Sequence, residues 1–254
     1  MDDARVERDL IAWNANISAC AKGGLWAAAS SMLVAMRVAK VWPDAVSWSA
    51  VVSASERASR WEAAVHLLGA MAQCGTPPGP HAVCSAIGAV GAAEEWRQAL
   101  SLFAYLDARR VEATKPCFNA VLEALRRRPR EAAAIFARGQ DLGFYPRGPP
   151  APGSSALVLD LHDSSPEAAK LTVLLWLEEL AADRRRSSEL ATLEIVTGQG
   201  LGRRPWDTGD DVRRRVVDLL EARGARWEEM ANRGRLAVDL RSLKASDTAR
   251  GAQK

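Results

Sequence analysis

The chain lacks any long apolar run. Stretches such as Leu174-Leu175-Trp176-Leu177 fall far short of the ~18–20 residues that a membrane span needs. The opening Met1-Asp2-Asp3-Ala4-Arg5 is too acidic and polar for a signal peptide, and no targeting segment is visible. Cysteine is scarce: four residues, at 20, 74, 84 and 117, with no C-x-x-C pair. That pattern fits neither a zinc site nor a disulfide framework, and it predicts a reducing, intracellular setting. Charge of one sign is also missing, since the net charge is only +3 over 254 residues. Such a balance does not by itself argue for nucleic acid. With 48% hydrophobic and 26% charged residues, the composition is that of a globular protein, and the length suits two domains.

What is present is a period. Trp26, Trp61 and Trp96 are each 35 residues apart, and the same offset links Trp13, Trp48, Val83 and Phe118. It also links Ile17, Val52, Ile87 and Leu122, then Met36, Met71 and Leu106, then Pro43 and Pro78. Within one unit the apolar positions fall at helical spacing in two blocks, Trp13, Ile17 and Cys20, then Trp26, Ala29, Leu33 and Met36. Gly23-Gly24 separates the blocks and Trp42-Pro43-Asp44 closes the second, because proline cannot continue a helix. Each unit therefore reads as a helical hairpin that buries its apolar faces only against its neighbours, with the tryptophans as packing residues. Units are expected at 10–44, 45–79 and 80–114. A fourth, 115–147, loses two residues from its inter-helix turn around Arg127–Pro129. Met1–Asp9 reads as the tail of an earlier unit, as in a chain cut from a longer one.

A two-helix unit of this length, opening on Trp13-Asn14 and closing on Pro43-Asp44, resembles the pentatricopeptide repeat. The resemblance implies a helical solenoid holding single-stranded RNA. One base per repeat would be read by the fifth residue together with the last. Carried onto this chain, the reading pairs are Asn14 with Asp44, Ser49 with Gly79, Cys84 with Thr114, and Asn119 with Arg147. The first pair matches a pattern associated with uracil, the carboxylate holding the amide that faces the base edge. Four repeats read four bases at most, so upstream repeats or a second module must supply further specificity.

After Arg147 the period stops. Residues 148–155 are rich in proline, glycine and serine and read as a linker. Beyond it a small α/β two-layer sandwich is expected over 156–242, followed by a frayed tail, 243–254. Its elements are a strand at 157–162, a helix from Pro166 to about Asp183, and a strand at 193–196. A helix at about 210–223 and strands at 226–230 and 236–240 complete it. Ser164-Ser165-Pro166-Glu167 offers a serine N-cap with a capping-box glutamate. Side chains two apart on a strand share a face, so Asp160 and His162 should project together while Leu159 and Leu161 point into the core. A carboxylate beside an imidazole is a proton-transfer pair. The turn Thr197-Gly198-Gln199-Gly200, with Arg203 and Arg204 behind it, suits an anion. Arg213–Arg215 and Arg126–Arg128 read as solvated faces, and His66 and His81 carry no pattern.

The Leu159-Asp160-Leu161-His162 strand followed by the Thr197-Gly198-Gln199-Gly200 turn resembles the Smr (small MutS-related) domain. That resemblance implies an endonuclease or a nucleic-acid adaptor. Asp160 and His162 would be catalytic, and Thr197, Gly198, Gly200, Arg203 and Arg204 would bind phosphate. No metal ligands are assigned, though a divalent metal such as Mg is compatible. Proteins pairing these modules act on the RNA of mitochondria or plastids. RNA is the expected partner, DNA the alternative, and no membrane is expected.

Overall fold

The computed structural model describes residues 3–150, 157–182, 192–198, 209–231 and 234–243. Two compact units divide the chain, Met1–Pro129 and Arg130–Lys254. The architecture is a stack of two-helix repeats followed by a small four-stranded mixed sheet with helices. None of the described helices is long and apolar enough to cross a membrane.

The first unit holds α1 (Asp3–Lys22), α2 (Trp26–Val38), α3 (Ala45–Arg57), α4 (Trp61–Gln73), α5 (Pro80–Ala92), α6 (Trp96–Ala108) and α7 (Lys115–Ala124). These are the expected hairpins, with one difference. Residues from Asp3 to Asp9 belong to the same continuous helix as Trp13 and Ile17 rather than to a separate earlier one. First helices stack on one another, α1 on α3, α3 on α5 and α5 on α7. Ile17, Val52, Ile87 and Leu122, one from each, are all fully buried. Second helices contribute Ala29, Ala64 and Ala99, and Met36, Met71 and Leu106, also fully buried.

Backbone geometry repeats with the same period. Gly24, Ser59 and Glu94 adopt positive φ (68°, 54° and 63°) at the turn between the helices of a hairpin. Lys40, Gly75 and Arg110 (59°, 78° and 55°) do so between hairpins. At each turn an amide reaches back five residues, as in Leu25 to Cys20, Arg60 to Ser55 and Glu95 to Val90, the Schellman closure of a helix end. The tryptophans at 26, 61 and 96 are half-buried rather than core, and two carry guanidinium groups on their rings. Arg60 lies 5.2 Å from the Trp26 centroid, and Arg128 4.5 Å from that of Trp96. The loop Arg126–Arg128, expected to be solvated, is exposed at Arg127 and Arg128, and its arginines are also engaged, Arg126 and Arg127 binding Glu94. Those contacts hold the shortened turn.

α8 (Pro129–Asp141), expected as the second helix of the fourth hairpin, falls in the second unit from Arg130 on. Its Phe136 stacks on Tyr145 at 4.9 Å, and Gln140 Nε2 donates to the Pro146 carbonyl. Gly148, placed in the linker by composition, lies so close to Glu179 that a Cβ there would strike the carboxylate. The segment after α8 is thus packed up to Gly148, and residues 151–155 of the expected linker lie outside the described residues, as does 244–254 of the expected tail.

β1 (Leu157–Asp160), α9 (Pro166–Ala182), β2 (Thr192–Val196), α10 (Gly209–Ala222), β3 (Arg226–Glu229) and β4 (Arg235–Asp239) complete the second unit, with a short 3-10 turn at Leu240–Ser242. The strand order is β1-β2-β4-β3. β1 and β2 run parallel, and both other pairings are antiparallel. Leu157, Leu159, Leu193, Ile195, Leu236 and Val238 meet Val173, Trp176 and Leu177 of α9 and Val216 and Leu220 of α10 in one core. The helix start differs in detail from the expected capping box. Ser165, one residue later than a box requires, accepts from Ala168 N–H at 3.3 Å. That register puts Glu167 at the second helical position, buried and paired with Lys170.

One carboxyl in the first unit couples stacking to pH. Glu56 of α3 packs against Gly88 of α5, where any Cβ would collide with it. Burial pushes its pKa up to about 7, against the opposing effects of the Ser85 hydrogen bond and Arg57. The folded state then keeps a proton that the unfolded chain, titrating near 4.5, has already released. Stability from this group is full below about pH 4.5 and falls as pH rises through about 7. Thermal melts between pH 4.5 and 8.5 should show that downward slope in the native chain and a flatter one in Glu56→Gln.

Candidate nucleic-acid interface

The four reading pairs do not come out alike. Asn14 Nδ2 donates to Asp44 Oδ1 at 3.2 Å and lies 3.4 Å from Oδ2, while Ser47 Oγ donates to Asn14 Oδ1 at 2.5 Å. Asp44 is at the same time the N-cap of α3. Its carboxylate accepts from Ser47 N–H at 2.8 Å, and Ser47 Oγ accepts from Asp44 N–H. Partial burial would raise the Asp44 carboxyl, but hydrogen bonds from the Ser47 backbone and the Asn14 amide, with the one Ser47 hydroxyl proton shared between Asp44 Oδ1 and Asn14 Oδ1, hold it below its ordinary value. A carboxylate only accepts, so the amide orientation is set: NH2 toward Asp44, oxygen toward Ser47. Sequence reading found Asn14 and Asp44 and missed Ser47, which the three-residue capping spacing could have marked.

At the second junction Ser49 Oγ donates to its own helix, to the Ala45 carbonyl at 2.6 Å, and Gly79 has no side chain to meet it. The third departs from expectation. Cys84 is joined to Cys117 in a disulfide, Cα to Cα 4.8 Å, so it is not a thiol beside Thr114. Thr114 Oγ1 lies 3.9 Å from Cys84 Sγ and 3.6 Å from Cys117 Sγ. The expectation of no disulfide fails because the two residues are 33 apart, and stacking of first helices brings such positions together. Asn119 also departs, being only 6% exposed in α7, too buried to present its amide to a base. Arg147, in the second unit, pairs with Asp141 at 3.1 Å.

A further row went unnoticed in the sequence. Ile11, Val46, His81 and Pro116 are all exposed, Ile11 at 68% and Val46 at 57%. Each stands three residues before a reading position and so on the same helix face. The 35-residue register was the available signal.

In the second unit the strand alternation holds. Leu157, Leu159 and Leu161 are buried while Val158, Asp160 and His162 are exposed. His162 Nδ1 is 2.7 Å from Asp160 Oδ1, which also accepts the His162 backbone N–H at 3.1 Å. On the other side His162 Nε2 is 3.2 Å from Asp163 Oδ2. Partial burial would raise the Asp160 carboxyl, but the ring and backbone hydrogen bonds from His162, with the charges of His162 and Arg235, hold it low. Parallel pairing aligns Asp160 with Val196, and Leu161 N–H continues the ladder to the Val196 carbonyl at 2.8 Å. The loops after both strands consequently share one end of the sheet. Gly198, at φ 82°, lies against His162, where an added Cβ would sit 3.7 Å from the His162 Cβ.

Thr197 is placed differently from the phosphate-binding role expected of it. The residue is 3% exposed, and both its N–H (2.8 Å) and its hydroxyl (3.3 Å) donate to the Gly234 carbonyl, so it anchors the turn. Gly200, Arg203 and Arg204 lie outside the described residues. Arg213 is tied to Glu229 at 2.7 Å. Among the described residues no three His, Cys, Asp or Glu side chains are gathered to hold a metal. The carboxylates at 160 and 163 face the imidazole between them, a poor fit to a cation.

No family model matches the chain, and no curated protein does. Solved structures do show likenesses. The pentatricopeptide repeat protein PPR10 in complex with an 18-nt psaJ RNA element is 19% identical with a TM-score of 0.48, over 56% of this chain and 22% of that one. The PPR domain of Arabidopsis thaliana protein-only RNase P 1 in complex with tRNA is 17% identical with a TM-score of 0.47, over 56% of this chain and 78% of that domain. PPR10 from maize is 17% identical with a TM-score of 0.46, over 83% of this chain. The chain spans 22% to 28% of the PPR10 chains it matches.

The capping network gives a direct test. Asp44→Ala removes the α3 cap and the Asn14 clamp together, and should cost about 1 kcal/mol, more than Asn14→Ala. Denaturant unfolding of the two variants decides the order.

Proposed function

We propose that this protein binds single-stranded RNA along its first helices and engages the phosphate backbone through its α/β unit. The observation that carries the reading is the Asn14 amide, oriented by Asp44 and Ser47. After those bonds the amide keeps one N–H and one oxygen lone pair for a base edge, the complement of uracil's neighbouring acceptor and donor. Ile11 and Val46 flank such a base with exposed apolar surface. The setting proposed, mitochondrial or plastid RNA, rests on the family resemblance.

In the α/β unit the proposed chemistry is phosphodiester cleavage. Asp160 fixes the His162 ring at Nδ1. An imidazole flanked by carboxylates at both nitrogens suits its protonated form, since only the imidazolium donates from both. His162 is therefore assigned as general acid: a water adds to phosphorus and loses its proton to solvent, the P–O bond to the leaving oxygen breaks, and the ring gives its Nε2 proton to that oxygen once the phosphate has displaced Asp163. Gly198 lets the backbone approach the phosphate. A second reading is a non-catalytic RNA adaptor. It is favoured by Asp160 Oδ1 accepting from both the ring and the backbone N–H of His162, an arrangement that also stabilises the turn.

Purified chain with labelled uridine-rich single strands separates the two. Cleavage abolished in His162→Ala with affinity unchanged supports the nuclease; binding without cleavage, with a lowered melting temperature in His162→Ala, supports the adaptor. Asn14→Ala should weaken uridine-containing RNA about tenfold, roughly 1.4 kcal/mol. Affinity unaltered by that change and insensitive to salt would refute RNA binding by the repeats.

A further inference from the structure

The three repeat junctions use the same three positions in different ways. Asn14, Asp44 and Ser47 at the first correspond, two periods on, to Cys84, Thr114 and Cys117 at the third. At the first, side chains from neighbouring first helices are tied by hydrogen bonds. At the second the matching residues are Ser49, Gly79 and Ala82, and Ser49 Oγ donates within its own helix, to Ala45. At the third the tie is covalent, Cys84 of α5 to Cys117 of α7. The bond consumes a residue standing where Asn14 stands.

We propose that Cys84 and Cys117 form a reversible thiol–disulfide modification site that switches the third reading position off when oxidised. The switching half of this rests on the RNA-reading proposal; the disulfide half does not. Reduced, Cys84 presents an S–H donor next to the Thr114 hydroxyl, which lies 3.9 Å from its sulfur. Oxidised, that donor is gone and its sulfur is held against the fully buried Cys117. The oxidant is a small disulfide of the glutathione class. Cys84 is partly exposed and Cys117 is not, so the Cys84 thiolate attacks the small disulfide first and releases one thiolate. The Cys117 thiolate then attacks the Cys84 sulfur of the mixed disulfide and releases the second. Two protein thiols become one disulfide, one small disulfide becomes two thiols, and the two protons pass to the leaving thiolates. Cys20 and Cys74 are free and serve as internal controls.

The full chain is equilibrated in glutathione buffers from reducing to oxidising, quenched, and its thiols are alkylated in denaturant and mapped by peptide mass. The expected result is four reactive thiols falling to two, with Cys84 and Cys117 found in one cross-linked pair of peptides. The oxidised chain should melt higher than the reduced one, a difference absent in Cys84→Ser and in Cys117→Ala. Four reactive thiols at every ratio, or a bond through Cys20 or Cys74, overturns the site. A panel of short RNAs varied one base at a time then reads the switch by fluorescence anisotropy. Discrimination at the base facing the third repeat should be lost on oxidation and regained with dithiothreitol, while that facing Asn14 persists. Equal discrimination at the third base in both states overturns the switch. No discrimination at any base in either state overturns it too, through the reading proposal, while the thiol count still decides the disulfide on its own.

Discussion

Burial between neighbouring hairpins is the constraint on which the first unit depends. A single hairpin exposes too much apolar surface to be stable by itself, and its first helix must lie on the first helix of the next. Ile17, Val52, Ile87 and Leu122 form one dry line through four such helices. Because that line runs at a fixed 35-residue step, everything attached to the helices recurs at the same step. Turn residues at positive φ inherit it, as do the positions that face across each junction, whatever side chain stands there.

The junctions show how little sequence is needed to vary the tie between neighbouring helices on a constant backbone. Ser47 sits at a buried position, yet its hydroxyl and amide serve both the helix cap and the Asn14 clamp. Replacing such a trio by two sulfurs and a hydroxyl changes a hydrogen-bonded tie into a covalent one without altering the hairpins. Glu56 against Gly88 is a different use of the same space, a carboxyl admitted only because the facing helix carries no side chain there.

In the α/β unit, a parallel pair of strands does the positioning. Parallel strands end at the same edge of a sheet, where ligand sites in such folds gather. His162 follows one strand and Gly198 the other, so a ring and a left-handed turn become neighbours across 36 residues of chain. Thr197 is spent on holding that turn through the Gly234 carbonyl, and the ring is poised between two carboxylates.

Periodicity was legible because core burial, repeated identically, writes itself into residue spacing. Hairpin limits, strand alternation around Asp160 and His162, and the order of elements after residue 156 could all be read from spacing and caps. Other features were beyond that reading. Asn119 has the same place in its repeat as Asn14 and is buried where Asn14 is not. Cys84 and Cys117 have no motif spacing and meet only because two helices stack. Gly148 has linker composition and is packed on Glu179. One-dimensional spacing carries which face of an element turns inward, since that depends on the 3.6- and 2-residue periods alone. Which residues of two distant elements touch depends on how the elements pack, and that is decided only when the tertiary structure forms.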